Sequence, residues 1–320
     1  MGVYSEINLN EINEILKYYE LGNAVSYQAT ITGISNSNFK VVLTSGKEVL
    51  LKVSNDKTIE QLENEQRILQ VLEKYNYLHS LHPIQTIQGK PIYHHKNYFG
   101  VVFPFINGLP PIIDNSAIAQ IGKALGELHS LEIHKEDLAT IRPHDLVGYG
   151  GLHIQDYIEQ PNCAPDFKDA FLKIFPQGLN DIPYDIFPAG IIHGDLYFDN
   201  SLFHEGKLVT LIDFEQSGRG RFILDLGIAL SGSCLNSSRD NLDLALARHF
   251  IKGYEQIRPL KAIEREYLMM AVKVGFFSIG LWRIKRFLEG NLDESKRYNY
   301  RELLERCLNF DKAFKNEVYF

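Results

Sequence analysis

Tryptophan occurs once in this sequence, methionine three times and cysteine three times. The cysteines, Cys163, Cys234 and Cys307, stand far apart and are odd in number, with no Cys-x-x-Cys pair and no Cys/His cluster at metal-ligand spacing. That argues against a disulfide framework and a structural zinc site, and predicts free thiols in the cytoplasm. Basic runs are missing as well. The 33 Lys and Arg residues face 40 Asp and Glu, a net charge of −7, which is the wrong sign for nucleic acid or an anionic membrane as the main partner. No long apolar run occurs either: the most apolar stretch, Ala271 to Leu281, carries Lys273 and is too short to cross a bilayer. The opening residues MGVYSEIN have neither the basic nor the apolar region of a signal peptide, and Glu6 stands where myristoylation needs Ser or Thr.

What is present is ordinary in amount, 45% apolar and 23% charged over 320 residues. The length exceeds what one growing core accommodates, so two lobes are expected. Strand signals fill the first third. An amphipathic helix over residues 8–19 places Ile12, Ile15, Leu16 and Tyr19 on one face, and strands follow at 25–31, 39–44, 47–53 and 98–106. FPFING, from Phe103 to Gly108, breaks the last of these with Pro and Asn-Gly, as a hinge would. From Asp114 on, helical spacing dominates, with Ile118, Ile121, Leu125 and Leu128 on one face. His79, His82, His94 and His95 lie among tyrosines without a carboxylate cluster, so metal binding is not expected of them.

The most informative stretch is IIHGDLYFDNSLFHEGKLVTLIDFE, Ile191 to Glu215. It reads as a short apolar strand, a polar loop, and a hairpin from Ser201 to Asp213 turning at Glu205-Gly206. Asp195 and Asn200 lie in the loop and Asp213 ends the second arm. A carboxylate, an amide and a second carboxylate so spaced suit phosphoryl transfer from ATP: Asp195 takes the proton of an acceptor hydroxyl, while Asn200 and Asp213 hold magnesium on the phosphates.

In the first third, Lys52 sits in the otherwise apolar strand VLLKV, and Glu65 falls on the apolar stripe Ile59, Leu62, Leu69, Leu72 of the following helix. Pairing them satisfies both charges and leaves the ammonium for the α- and β-phosphates; a snorkelling lysine and a rim glutamate are the alternative. The loop GISNSN before residue 39 offers backbone N–H groups of Ile34, Ser35, Asn36, Ser37 and Asn38, and the Asn36 and Asn38 amides, as a phosphate cover, or forms a plain polar turn.

HGDLYFDN followed by LIDFE resembles the catalytic and metal-binding motifs of the aminoglycoside-phosphotransferase family, small-molecule kinases with a protein-kinase-like fold. Within it, YELG (19–22), GISNSNF and GYEQIRPLKAIERE resemble the bacterial homoserine kinases, so the resemblance runs nearly end to end. It implies an α+β, two-lobed fold: a small antiparallel-sheet lobe over 1–105 that binds nucleotide, and a larger, mainly helical lobe over 106–320 with the catalytic loop and acceptor site. It also implies adenine docking on the backbone of Phe103, Phe105 and Ile106, with ATP and Mg²⁺ as cofactors. Asp225 is expected to tie its helix to the catalytic loop.

The expected partner is a small-molecule hydroxyl acceptor, first L-homoserine. Arg219 and Arg221, just after the metal aspartate, can clamp a carboxylate bidentately, or one of them supports the loop. Trp282 and Arg283 can line the same pocket, or belong to the core. The chain departs from the homoserine kinases at FEQSGRGRF and at SGSC (231–234), which leaves open choline or ethanolamine, a methylthio-sugar or an aminoglycoside. A catalytically inactive nucleotide-binding module is the reading from a different class.

Overall fold

A computed structural model describes residues 7–30, 36–55, 57–144, 150–290 and 292–314. The chain divides into two compact units, Met1–Lys74 with Ser80–Asn107, and Tyr75–His79 with Gly108–Phe320. The border expected after residue 105 therefore falls two residues later. The segment Tyr75–His79, placed by sequence in the first lobe, goes with the second unit. There Tyr77 is buried with its hydroxyl donating to the Ala124 carbonyl at 3.0 Å, and the Leu211 N–H donates to the His79 carbonyl at 2.9 Å.

In the first unit, α1 (Leu9–Leu16) starts from a capping box in which Asn8 and Glu11 satisfy each other's backbone N–H groups. Five antiparallel strands follow: β1 (Ala24–Ala29), β2 (Asn36–Leu43), β3 (Glu48–Ser54), β4 (Ile92–His95) and β5 (Tyr98–Pro104), in the order β1-β2-β3-β5-β4. Strand alternation sends Phe39, Val41, Leu43, Val49, Leu51 and Val53 to one face, where they form a core with Ile12, Ile15 and Leu16 of α1. Lys52, between Leu51 and Val53, points to the other face, toward α2 (Ile59–Lys74).

The second unit is mainly helical. Its helices are α3 (Asn115–His129), α4 (Lys135–Ala139), α5 (Gly151–Ile158), α6 (Pro165–Ile174), α7 (Phe222–Ser233), α8 (Leu244–Glu255), α9 (Ala262–Leu288) and α10 (Arg301–Phe314). Asp114 caps α3 by accepting from the Ala117 N–H at 2.7 Å. Two helix pairs approach backbone to backbone: a Cβ on Gly253 of α8 would stand 2.0 Å from the Ala119 carbonyl of α3, and one on Gly227 of α7 would stand 2.1 Å from the Ala271 carbonyl of α9. By length and composition α9 is long and apolar enough to cross a membrane, unlike the short run read from the sequence, but 72% of its apolar window is buried inside the protein. Two small sheets complete the unit, β6 (Ala189–Ile192) with β9 (Gly218–Arg221), and β7 (Ser201–His204) with β8 (Lys207–Leu211). The result is the expected α+β architecture, an antiparallel five-stranded sheet ahead of a helical region.

Candidate active site

The apolar pair Ile191-Ile192 closes β6 in the core, and the chain then opens into the loop His193 to Asn200. Gly194 turns the corner with φ +79°, where a Cβ would meet the Gln216 carbonyl at 2.4 Å. This corner is held from below by Asp225 of α7, whose carboxylate accepts from the His193 and Gly194 N–H groups at 2.7 and 2.8 Å.

Asp225 is itself the end of a buried chain of hydrogen bonds. Arg258 donates to the Tyr254 hydroxyl at 2.9 Å, the hydroxyl donates to Nδ1 of His129 at 2.8 Å, and Nε2–H of His129 donates to Asp225 at 3.0 Å. The tautomer follows from the network, because Asp225 only accepts. Burial holds His129 below its ordinary pKa, so it is neutral, while bonds from His129 and the loop N–H groups outweigh burial and hold Asp225 below the usual carboxylate range.

Asp195 follows directly. Nδ2 of Asn200 donates to the Asp195 carbonyl at 2.7 Å and to its carboxylate at 3.3 Å, which fixes that side chain and leaves the Asn200 amide oxygen for a cation. The Ile212 N–H donates to the Asn200 carbonyl at 2.9 Å, and Nε2–H of His193 donates to the Ile212 carbonyl at 3.1 Å. The end of β8 is thus stitched to the loop, and the next residue is Asp213. Asp213 is exposed and adopts the left-handed conformation, φ 66°, an unfavourable backbone state for a non-glycine residue that the surrounding structure must maintain. The fold thus brings Asp195, Asn200 and Asp213, the three residues singled out in the sequence, to one loop and the strand end stitched to it, and adds His193 as an anchor.

Burial pushes the Asp195 carboxyl well above its ordinary pKa, and Asp213, Asp199 and Glu215 push it in the same direction. Such crowding of negative charge is relieved by a cation. One amide oxygen and one carboxylate fit a hard divalent ion held mostly by phosphate oxygens and water, as Mg²⁺ is. An all-protein metal cage is a different matter: among the described residues no group of three or more His, Cys, Asp or Glu side chains could hold a metal ion.

In the first unit, Lys52 Nζ lies 3.4 Å from Glu65 and both are buried. Lys57, which the sequence did not single out, reaches the other Glu65 oxygen at 3.3 Å. Gly100 of β5 is needed here: a Cβ would stand 1.9 Å from the Lys52 carbonyl. Asn36, Ser37 and Asn38 are not loop residues. They open β2, opposite Ser54, Val53 and Lys52 of β3, and Asn36 and Ser37 are buried. Ile34 and Ser35 lie outside the described residues. Phe103 pairs with Leu50 inside the sheet, the Phe105 N–H donates to Glu48 at 3.2 Å, and Ile106 lies beyond the strand.

For the arginines the contacts favour the supporting role that the sequence left open beside a carboxylate clamp. Arg221 faces Ala189, three pairs from the Ile192 end of β6, roughly 10 Å along the strands. Its guanidinium donates to the Phe187 carbonyl and the Asp185 carboxylate. Arg219 donates through Nε to the Ile141 carbonyl at 2.7 Å. Both brace their strand instead of converging on the carboxylates. Trp282 stacks with Arg286 at 5.2 Å, and Arg283 donates to the Asn299 carbonyl and to Glu302.

Residues 28–264 match the phosphotransferase enzyme family. The chain belongs to that family. This phosphotransferase is 28% identical over 284 residues to a homoserine kinase of Bartonella tribocorum, covering 85% of each chain. It is 26% identical over 301 residues to a homoserine kinase of Neisseria meningitidis serogroup B, covering 90% of this chain and 92% of that one. Its fold matches the crystal structure of a spectinomycin phosphotransferase in complex with ADP and spectinomycin, with a TM-score of 0.65, 16% identity, and coverage of 97% and 99% of the two chains. The phosphotransferase fold was thus readable from HGDLYFDN and LIDFE. The relay through Tyr254 and Arg258 was not, because its members are spread over α3, α7, α8 and the residues after it.

Proposed function

We propose that this phosphotransferase is an ATP- and magnesium-dependent kinase that converts L-homoserine to O-phospho-L-homoserine in the cytoplasm, as part of threonine biosynthesis. The observation that carries the acceptor is the match, over most of both chains, to relatives named homoserine kinase. The geometry around Asp195 supports the chemistry.

In this reading Asp195 accepts the proton of the substrate hydroxyl as its oxygen attacks the γ-phosphoryl group of ATP, with the Asn200 amide keeping the carboxylate in place. The Asn200 amide oxygen and Asp213 would hold Mg²⁺, which would supply charge neutralisation at the phosphates and favour the ionised form of Asp195. Lys52, oriented by Glu65, is the cation that the first unit offers to nucleotide phosphates. Asp225, through the two backbone N–H groups that it accepts, keeps the loop in its working shape.

The test is ADP release against a panel of L-homoserine, choline, ethanolamine, a methylthio-sugar and an aminoglycoside. Turnover with homoserine well above the others is expected. Turnover with another acceptor and none with homoserine would discard the acceptor and keep the phosphotransferase.

A further inference from the structure

Beside the catalytic loop, the second unit has a half-open hollow of about 380 Å³ lined by Ser238, Arg239, Asp240, Glu302, Glu305 and Arg306, all of them exposed except Arg306. None of these residues was singled out by sequence. Arg239 borders the loop directly: its guanidinium lies 5.4 Å from the centre of the Phe198 ring, and its backbone is held at φ 57°. Neither Arg239 nor Glu305 has an ion-pair partner among the described residues. The neighbouring charges are already engaged. Arg306, buried at 5% exposure, donates through Nε to the Arg239 carbonyl and through a terminal nitrogen to Glu302, which also accepts from Arg283. Asp240 accepts from Asn236 and Ser238.

Tyr197 connects this cluster to the reacting end. Its ring lies on Gly232 of α7, where a Cβ would fall 1.9 Å from the ring, so the SGSC departure makes room for it. The phenol oxygen is sealed from solvent, with the Ser231 hydroxyl, which donates to the Ile228 carbonyl, beside it. Burial and then Asp195 push the phenol pKa up, while Arg283 and Arg306 act the other way, so both groups of charges are felt at one side chain.

We propose that this hollow is the head-group site for an α-amino acid, with Arg239 taking the carboxylate and Glu305 the ammonium. Arg239, whose charge also reaches Asp199, and Glu305 are the two lining charges without an ion-pair partner among the described residues, and together they match the carboxylate and ammonium of a zwitterion. The site deepens the homoserine reading and rests on it for the identity of the acceptor, but its chemistry is that of any L-α-amino acid.

The experiment compares L-homoserine with 3-aminopropan-1-ol, the same molecule without its carboxylate, on wild type, Arg239→Ala, Arg239→Lys and Glu305→Gln. Losing a charge-assisted contact raises the homoserine KM about tenfold to a hundredfold. Arg239→Ala is therefore expected to erase the preference for homoserine over 3-aminopropan-1-ol, Arg239→Lys to restore part of it, and the KM for ATP to stay put. Equal losses on both acceptors in Arg239→Ala would overturn the proposal. If wild type does not phosphorylate homoserine, the acceptor reading fails separately. Calorimetric titration with a panel of L-α-amino acids then decides: binding by wild type that Arg239→Ala loses supports the site, and no binding, or binding that the variant keeps, overturns it.

Discussion

Asp195, Asn200 and Asp213 were legible because each is a polar residue placed at the end of an apolar strand or in the loop beside it, and local sequence fixes such placements. For Arg219 and Arg221 the sequence left open a carboxylate clamp or support of the loop, and the contacts that favour support were not legible. Their partners, the Ile141 and Phe187 carbonyls, lie 78 and 34 residues away in sequence, and no spacing rule shows them. The roles assigned to the loop residues separate in kinetics. Asp195→Asn should lower kcat by about 10²- to 10⁴-fold, the usual worth of a general base, with the KM for ATP nearly unchanged in steady-state assays. Asp213→Ala should instead weaken nucleotide binding in a magnesium-dependent way, so that titrations with and without the ion give nearly the same affinity.

For single elements, β5 and α7 carry the most testable geometry. Gly100 lets β5 run against the Lys52 carbonyl, so Gly100→Ala must push the two strands apart. A loss of about 1–3 kcal/mol, typical of overpacking, is expected in urea unfolding, together with a raised KM for ATP. The β2–β3 hairpin was readable from its alternation and from the Ser45-Gly46 turn, where Gly46 has φ +80°. Its tip was not: Asn36 to Asn38 look like loop residues by composition, yet pairing with β3 extends the strand through them. Asp225 on α7 accepts two loop N–H groups, and Asp225→Asn replaces one acceptor oxygen with a donor. This should cost about 1–3 kcal/mol of stability and lower kcat, because the loop then loses its support.

The same relay gives the whole molecule a pH dependence. His129 and His193 are buried, and desolvation holds both below the ordinary value of 6.5. Between that value and their lowered pKa values the unfolded chain binds protons that the folded chain does not, so stability is fully present above about pH 6.5 and falls as the pH drops below it. Asp195, whose pKa is raised, works in the opposite direction over the same range, so the histidine contribution is read by difference: the change in urea midpoint between pH 7.5 and pH 5.5 should be less destabilising in His129→Gln than in the wild type. An unchanged pH dependence in His129→Gln would mean that His129 is protonated in the folded protein.

The two-part division and the helical character of the second unit were visible in how apolar spacing changes along the chain. The transfer of Tyr75–His79 to the second unit was not, since it depends on Tyr77 and His79 bonding to residues 47 and 132 positions away. The central reading, that this phosphotransferase moves a phosphoryl group from ATP to a homoserine hydroxyl through Asp195, is tested by phosphorus NMR of wild type and Asp195→Asn with ATP, Mg²⁺ and L-homoserine. O-phospho-L-homoserine should accumulate in step with ADP in the wild type, and its formation should fall by orders of magnitude in the variant. ADP without a phosphorylated amino acid, or a variant as fast as the wild type, would contradict it.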